Sequence, residues 1–118
     1  PSNITLSKDK KLLTVTFDST DYPMTSEYLR VYSPSAEVQG HGPGQETLQL
    51  DKQDVTIQML VPMGNYAIAI HYSDGHTTGI YSWSHLYKLG SQKDELWLDY
   101  CNRVKNKNNS ENYHEVQI

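Results

Sequence analysis

Residues 65–86 read N-Y-A-I-A-I-H-Y-S-D-G-H-T-T-G-I-Y-S-W-S-H-L, a segment with signals for a strand, a turn, a second strand and the start of a helix. Bulky apolar side chains at every second position from Tyr66 to Tyr72 predict a strand that buries one face. The Asp74-Gly75 pair suits a two-residue type I′ turn, because both central positions of such a turn need positive φ and glycine reaches it without steric cost. The segment therefore predicts an antiparallel β-hairpin followed by a helix.

A turn at this position determines which residues of the two strands pair. His71 is expected opposite Thr78, and Ile68 opposite Tyr81. Directly paired residues share a face of the sheet, so His71, His76 and Thr78 are predicted to lie together on the face opposite the isoleucines. The two histidines then become diagonal neighbours, close enough for their imidazoles to share an ion or a water.

Further strands are indicated by period-2 patterns of β-branched and apolar residues. They are Asn3–Leu6, Leu12–Phe17, residues 47–50 and residues 55–61, the last burying Ile57, Met59 and Val61. Thr25 is a suitable N-cap for a short helix that ends before Ser33-Pro34, because the residue before a proline resists the helical conformation. Three glycines and a proline within residues 40–44 predict a loop over residues 35–45.

The C-terminal third of the chain changes to a helical pattern. Ser82 is a suitable N-cap for a helix over residues 83–89 that stops at Gly90, and Ser91 for a second helix that runs to about Lys105. Cys101 falls beside the apolar stripe of the second helix, which predicts a small buried hydrophobe.

These elements predict an α+β fold, a mainly antiparallel β-sheet with short helices of which the two longest lie near the C-terminus. Residues 1–105 are expected to form a single domain. Residues 106–118 are polar and without periodicity, which predicts a mobile tail.

Composition excludes several classes of protein. The formal charge of −4 and the pI near 5.6 lack the basic balance of a nucleic-acid or anionic-membrane binder. No apolar run reaches the length of a membrane span. The one cysteine excludes an internal disulfide and no signal-peptide pattern is present, so we expect a cytoplasmic bacterial protein.

Several separated motifs resemble those of one protein family. They are Leu29-Arg30, S-P-S-A-E at residues 33–37, V-P-M-G-N-Y-A at residues 61–67, Asp74-Gly75-His76, and G-I-Y-S-W at residues 79–83 with Leu86 behind it. In this order they resemble the gamma-butyrobetaine hydroxylase-like N-terminal domain, formerly a domain of unknown function. The resemblance implies a stand-alone bacterial form of a domain that elsewhere precedes 2-oxoglutarate-dependent carnitine-pathway oxygenases or is attached to iron–sulfur carrier ATPases.

The resemblance also implies where a metal would bind. Oxygenase-linked members of the family hold a structural zinc with a cysteine cluster and the histidine of the Asp-x-His turn, which corresponds to His76. The cysteines correspond to Ser33, Ser35 and Val38. None of these supplies a thiolate, whereas structural zinc takes four nitrogen or sulfur ligands. The zinc site of the family is therefore expected to be absent from this chain.

Two hypotheses for the function follow. The first is a non-enzymatic interaction or accessory domain that binds a protein partner through the hairpin, the loop of residues 40–44 and the side chains of Trp83, Thr78 and His85. The second is a metal-binding protein in which His76, His71 and His41 supply three imidazole ligands, with zinc as a suitable metal.

Enzymatic activity is not predicted. A mononuclear iron oxygenase needs a histidine followed two residues later by a carboxylate, and no histidine of the chain has one. No P-loop, dinucleotide-binding glycine motif or Gly-x-Ser-x-Gly sequence occurs. Cys101 has no neighbour in the sequence that would activate it as a nucleophile.

Overall fold

The computed structural model describes residues 1–40 and 46–112, with residues 109–112 described by their backbone alone. In these ranges the chain forms β1 (Asn3–Leu6), β2 (Leu12–Phe17), β3 (Thr20–Thr25), α1 (Ser26–Val31), α2 (Ala36–Gln39), β4 (Ile57–Met63), β5 (Ala67–Tyr72), β6 (Gly79–Ser82), α3 (Trp83–Ser91) and α4 (Lys93–Asn112). β1, β2 and β3 form one antiparallel sheet and β4, β5 and β6 a second. The predicted α+β class, with the longest helices at the C-terminus, is confirmed.

A hydrophobic cluster joins the two sheets. Leu13 and Val15 contribute from the first sheet, Ile68 and Ile70 from the second, and residues of α1 and α3 complete it. The backbones of the two sheets also meet, since the amide of Ile57 donates to the carbonyl of Lys10 at 2.9 Å. Each fully buried aliphatic side chain contributes about 1.5–3 kcal/mol, so this cluster fixes how the hairpin lies against α1.

The first helix begins and ends where the sequence predicts. The hydroxyl of Thr25 accepts a hydrogen bond from the amide of Tyr28 at 3.1 Å, which caps the N-terminus of α1. The helix stops at Val31, two residues before Ser33-Pro34. Because α1 is short, the chain turns at Ser33 and passes under the hairpin.

The strands of the hairpin pair in the predicted register, with Ile68 opposite Tyr81 and Ile70 opposite Gly79. The predicted turn at the tip is wrong. Gly75 donates its amide to the carbonyl of Tyr72 at 3.1 Å, and Tyr72 donates its amide to the carbonyl of His76 at 2.9 Å. The loop therefore has three residues.

This three-residue loop changes the face on which His76 lies. Gly75, with a φ of 87°, follows a turn centred on Ser73 and Asp74, and a glycine with positive φ is the usual last residue of such a loop. His76 consequently pairs with Tyr72 instead of Ser73. Since neighbouring residues of a strand point to opposite faces, His71 lies on the face opposite Tyr72 and His76, and the predicted shared face is wrong.

β4 also departs from the predicted alternation. A register shift between Ile57 and Met59 reverses the faces along the strand. Ile57 is buried as expected, whereas Met59 is 55% exposed and Leu60 packs against the core instead. The prediction that Met59 and Val61 lie on the buried face is therefore wrong, since Val61 pairs with Ala69 and shares the face of Met59.

Two further predictions for the middle of the chain differ from the structure. Residues 47–50 form no strand. Residues 36–39 form the short helix α2 where a loop was predicted, and the hydroxyl of Ser35 caps it by accepting from the amide of Glu37 at 3.3 Å. Most of the glycine-rich part of the predicted loop, residues 41–45, lies outside the described residues.

The C-terminal helices extend beyond their predicted limits. α3 begins at Trp83 after the predicted N-cap Ser82, but passes through Gly90 and ends at Ser91. α4 continues to Asn112, well past Lys105 and into the predicted tail. Cys101 is exposed rather than buried. None of the helices described is long and apolar enough to cross a membrane.

Candidate functional site: a serine–histidine cluster under the hairpin

A buried polar contact joins the segment after α1 to the hairpin. The hydroxyl of Ser33 lies 2.8 Å from Nε2 of His76, although the two residues are 43 positions apart in the chain. Ser33 is 0% exposed and His76 is 5% exposed. The turn after α1 supplies Ser33, and the three-residue loop of the hairpin rotates His76 toward it.

Glu37 determines which nitrogen of His76 carries the proton. Nδ1 of His76 lies 3.4 Å from a carboxylate oxygen of Glu37, and a carboxylate can only accept. Nδ1 is therefore the donor, and Nε2 accepts from the hydroxyl of Ser33. Burial lowers the pKa of His76, with a further contribution from the Arg30 guanidinium that outweighs the opposite effect of Glu37 and Asp74. The imidazole is neutral at pH 7.

A second chain of hydrogen bonds runs beside the first. Thr78 donates its hydroxyl to Glu37 at 3.3 Å, so the contact of 2.7 Å between the hydroxyls of Ser35 and Thr78 has Ser35 as the donor. We refer to Ser33, Ser35, Glu37, His76 and Thr78 together as the Ser33–His76 cluster. It ties residues 33–37 to residues 76–78 of the hairpin through hydrogen bonds between polar groups.

Asp74 holds the tip of the hairpin from the other side. Its carboxylate accepts from Nε of the buried Arg30 at 3.0 Å, from Lys52 at 3.1 Å and from the amide of His76 at 3.2 Å. Burial raises the pKa of Asp74, but the hydrogen bonds from Lys52 and His76 and the charge of Arg30 outweigh it, so the pKa lies below its usual value. The carboxylate is thus ionised and fixes the loop that carries His76.

The arrangement of Ser33, His76 and Glu37 is that of a nucleophile, a general base and an orienting acid. Its surroundings do not suit catalysis. Ser33 has no exposed surface, and the backbone of Gly79 lies so close that a Cβ there would be 2.7 Å from the Ser33 hydroxyl. No substrate carbonyl can approach a hydroxyl enclosed in this way, so the cluster acts as a structural tie between the two parts of the chain.

The residues of the Ser33–His76 cluster belong to the motifs that carry the family resemblance. The family model described as "Gamma-butyrobetaine hydroxylase-like, N-terminal" matches residues 4–87. The chain belongs to this family. No curated protein matches the chain.

Solved structures of similar proteins have the same fold. Two solution structures determined by NMR are similar, one with 43% sequence identity over 89% of this chain and 83% of the other and a TM-score of 0.77. The other has 40% identity over 91% of this chain and 80% of that one, with a TM-score of 0.76. A crystal structure from Acidithiobacillus ferrooxidans, of a protein of unknown function in the DUF971 family, has 32% identity over 76% of this chain and 91% of that one, with a TM-score of 0.64.

The family membership bears on the predicted metal sites. The resemblance places Ser33 and Ser35 at two cysteine positions of oxygenase-linked members, and both serines lie in one cluster with His76. Val38, at the third cysteine position, is buried. The hydroxyl of Ser33 faces Nε2 of His76 and the carboxylate of Glu37 faces Nδ1, so both ring nitrogens are already engaged. Among the residues described, no group of three or more histidine, cysteine, aspartate or glutamate side chains is arranged to hold a metal.

The predicted ligand set of His41, His71 and His76 stays a prediction. His41 lies outside the described residues. His76 uses both ring nitrogens within the Ser33–His76 cluster, whereas His71 pairs with Met59 in the second sheet. These two histidines therefore belong to different faces of the hairpin.

The residues predicted for a partner surface have intramolecular roles. Trp83 is partly buried against the core and donates Nε1 to the carbonyl of Asn65 at 2.6 Å. Thr78 belongs to the Ser33–His76 cluster. Nε2 of His85 lies 3.1 Å from the carbonyl of Tyr32, and burial lowers the pKa of His85.

Sequence reasoning missed Glu37 and Arg30 as members of the site. Glu37 follows Ser35 by two residues at a helix N-terminus, a capping signal that the neighbouring glycines obscured. Arg30 occurs in the Leu29-Arg30 motif of the resemblance, but nothing in the local pattern indicates that an arginine in a six-residue helix is buried.

Proposed function

We propose that this protein is a non-enzymatic accessory domain that binds a protein partner through the outer face of its second sheet. The outer face is the side of β4, β5 and β6 opposite Ile68 and Ile70, and carries Met59, Val61, Met63, Ala67, Ala69, His71, Ile80 and Ser82. Ala67 and Ala69 on the central strand are themselves buried, and Met59 and Ile80 are the exposed members. The register of the three strands supports this grouping, since Met59 pairs with His71 and Ala69 pairs with both Val61 and Ile80.

The observation that carries the proposal is the lack of charge on this face. None of its eight residues is aspartate, glutamate, lysine or arginine, although one residue in five of the chain is charged. Met59 is 55% exposed and Ile80 is 44% exposed. The centre of a protein–protein interface is depleted of charged residues and enriched in methionine, which matches this face.

The other prominent feature of the chain is of a different kind. In the Ser33–His76 cluster, Ser33, Ser35 and His76 are buried and bonded within the cluster, and only Glu37 and Thr78 reach the surface. The outer face, in contrast, exposes the apolar side chains of Met59 and Ile80 to solvent. A partner that fits would present an uncharged, apolar surface of its own.

The resemblance to domains joined to other proteins gives the first partners to test. They are the catalytic domain of a 2-oxoglutarate-dependent oxygenase and an iron–sulfur carrier ATPase, each taken from the organism that makes this chain. Binding would be measured by calorimetry with the purified proteins, and the contact surface by chemical-shift changes in ¹⁵N-labelled protein.

The variants Met59→Lys and Ile80→Lys test the surface. Each inserts a charge into the exposed apolar part of the proposed interface, and we expect affinity to fall at least about tenfold, the effect of removing a moderate hot spot. Leu98→Lys is the matched control, since Leu98 is an apolar residue of α4 that is 63% exposed. The proposal is wrong if neither partner class binds, or if Leu98→Lys weakens binding as much as the two sheet variants.

A further inference from the structure

A cleft of about 360 Å³ lies between α1 and residues 46–49 on one side and α3 and α4 on the other. Its volume is within the range of small-molecule sites, roughly 300–1,000 Å³. Neither the residues of the Ser33–His76 cluster nor those of the outer face line it. The cleft is therefore separate from both the Ser33–His76 cluster and the proposed partner surface.

Hydrogen bonds hold the walls of this cleft in place. Tyr32 donates its hydroxyl to the carbonyl of Leu96 at 2.7 Å, and its own carbonyl accepts from Nε2 of His85 at 3.1 Å. Tyr100 donates its hydroxyl to the carbonyl of Gln49. These contacts join α1 to α3 and α4, and α4 to residues 46–49. A preformed cleft binds a small ligand with less loss of conformational freedom than a flexible one.

Two cationic side chains line the cleft on the side of α3 and α4. The guanidinium of Arg103 lies over the ring of Tyr32, 5.6 Å from its centroid, and donates to the Tyr32 hydroxyl at 3.1 Å. Lys88 projects from the last turn of α3 into the same cleft and has no ion pair among the residues described. Burial lowers the pKa of His85 and so favours the neutral ring, against the opposite effect of the hydrogen bond to the carbonyl of Tyr32.

The lining also carries two acidic groups, and Lys88 is its one cationic side chain without an acidic partner among the residues described. Asp99 is engaged with Arg103, with 3.1 Å between its carboxylate and Nε. Glu46 is exposed on the opposite wall, where it would repel an anion. The rest of the lining is mixed: Val31, Leu89 and Leu96 are apolar, whereas Gln39, Thr47 and Gln49 are polar.

We propose that the cleft binds small carboxylates that carry an aromatic or branched apolar group. The carboxylate lies between Lys88 and Arg103, where a fixed guanidinium offers its remaining N–H groups to an anion. The apolar group contacts Leu89, Leu96 and the ring of Tyr100. This inference does not rest on the protein-binding proposal.

The test is an NMR titration of the ¹⁵N-labelled full chain with 3-phenylpropionate, 3-phenylpropanamide and 3-phenylpropylamine. These probes share one apolar body and differ only in a negative, neutral or positive head group. We expect 3-phenylpropionate to shift the amides of Tyr32, Lys88, Leu96 and Arg103 in a saturable way. The neutral amide should bind at least about tenfold more weakly, because it lacks the charge-assisted contact.

Substitutions then locate the anion. Lys88→Gln should lower the affinity for 3-phenylpropionate about threefold to tenfold, whereas Lys8→Gln, at an exposed turn, should leave it unchanged. Lys88 is chosen because Arg103 contacts Tyr32 and its removal could disturb the fold. The inference is overturned if the neutral amide binds as tightly as 3-phenylpropionate, or if the amine binds more tightly. It is also overturned if the two lysine variants lose affinity equally. Chemical-shift changes that lie outside the cleft, or no changes up to the solubility limit of 3-phenylpropionate, overturn it as well.

Discussion

At Gly79 the backbone of β6 passes directly over the hydroxyl of Ser33. A Cβ atom there would lie 2.7 Å from this hydroxyl and 3.1 Å from the ring of Tyr81. Ser33 cannot move away easily, since it is fully buried and bonded to His76. Gly79→Ala should therefore lower the free energy of unfolding by about 1–3 kcal/mol, the usual cost of overpacking a core. Urea unfolding followed by circular dichroism measures this difference.

A double-mutant cycle separates this contact from any general effect of alanine in a strand. Ser33→Ala removes the atom with which the new methyl group collides. Gly79→Ala should therefore cost at least about 0.5 kcal/mol less in the Ser33→Ala background than in the wild type, as expected for residues in direct contact. Equal costs in the two backgrounds would show that the close approach to Ser33 does not constrain this position.

At the scale of elements, α3 packs on β3 through a second close contact. A Cβ at Gly90 would lie 2.8 Å from Cβ of Tyr22. Alanine in place of glycine within a helix normally adds up to about 1 kcal/mol of stability. Here we expect Gly90→Ala to destabilise the protein by about 1–2 kcal/mol, because α3 must move away from the sheet.

The sign of the effect should reverse when the obstacle is removed. In a Tyr22→Gly background no Cβ faces position 90, so Gly90→Ala should raise the free energy of unfolding by up to about 1 kcal/mol. Urea unfolding of the wild type, Gly90→Ala, Tyr22→Gly and the double variant gives the four free energies of unfolding that this comparison needs. A stabilising Gly90→Ala in the wild type would mean that α3 is not held this close to β3.

These glycines show which parts of the fold local sequence patterns can predict. Alternation of apolar residues predicts the register of the hairpin, because one buried face determines it. It does not predict the tip, since Gly75 fits either a two-residue or a three-residue loop. The local pattern predicts a helix stop at Gly90, whereas in the structure this glycine allows a close approach to Tyr22. That contact depends on tertiary packing, which a local pattern does not contain.

The sequence predicted some members of the candidate site, but neither the participation of Glu37 and Arg30 nor the chemistry of the site. The family resemblance brings Ser33, Ser35 and His76 together as positions of a lost zinc site. Local patterns contain no information on a hydrogen bond between residues 43 positions apart. The predicted pairing of His71 with His76 failed for the same physical reason as the tip, because one extra loop residue moves a side chain to the other face.

At the scale of the whole molecule, the buried His76 and the half-buried His85 couple stability to pH. Burial lowers the pKa of His76, beside Arg30, Glu37 and Asp74, and that of His85, near Lys88. Below about pH 6.5 these two histidines are protonated in the unfolded chain but still neutral in the folded protein. The free energy of unfolding should therefore be highest above pH 7 and fall as the pH drops from about 6.5 toward the lowered folded values, by at most about 1.4 kcal/mol per pH unit for each histidine.

Urea unfolding between pH 8 and pH 5 measures this dependence, and 0.5 M NaCl separates it from the net charge of the chain. Repulsion between surface charges is screened at this ionic strength, whereas the cost of burying a charged imidazole is not. His76→Gln and His85→Gln should each remove part of the slope, and the double variant should be nearly independent of pH down to about pH 5. Loss of stability through Asp74 begins only at lower pH, since its pKa is lowered and its ionised form is the one that the fold stabilises. A wild-type protein whose stability is constant from pH 8 to pH 5 would show that the two imidazoles accept protons in the folded state as readily as in the unfolded chain.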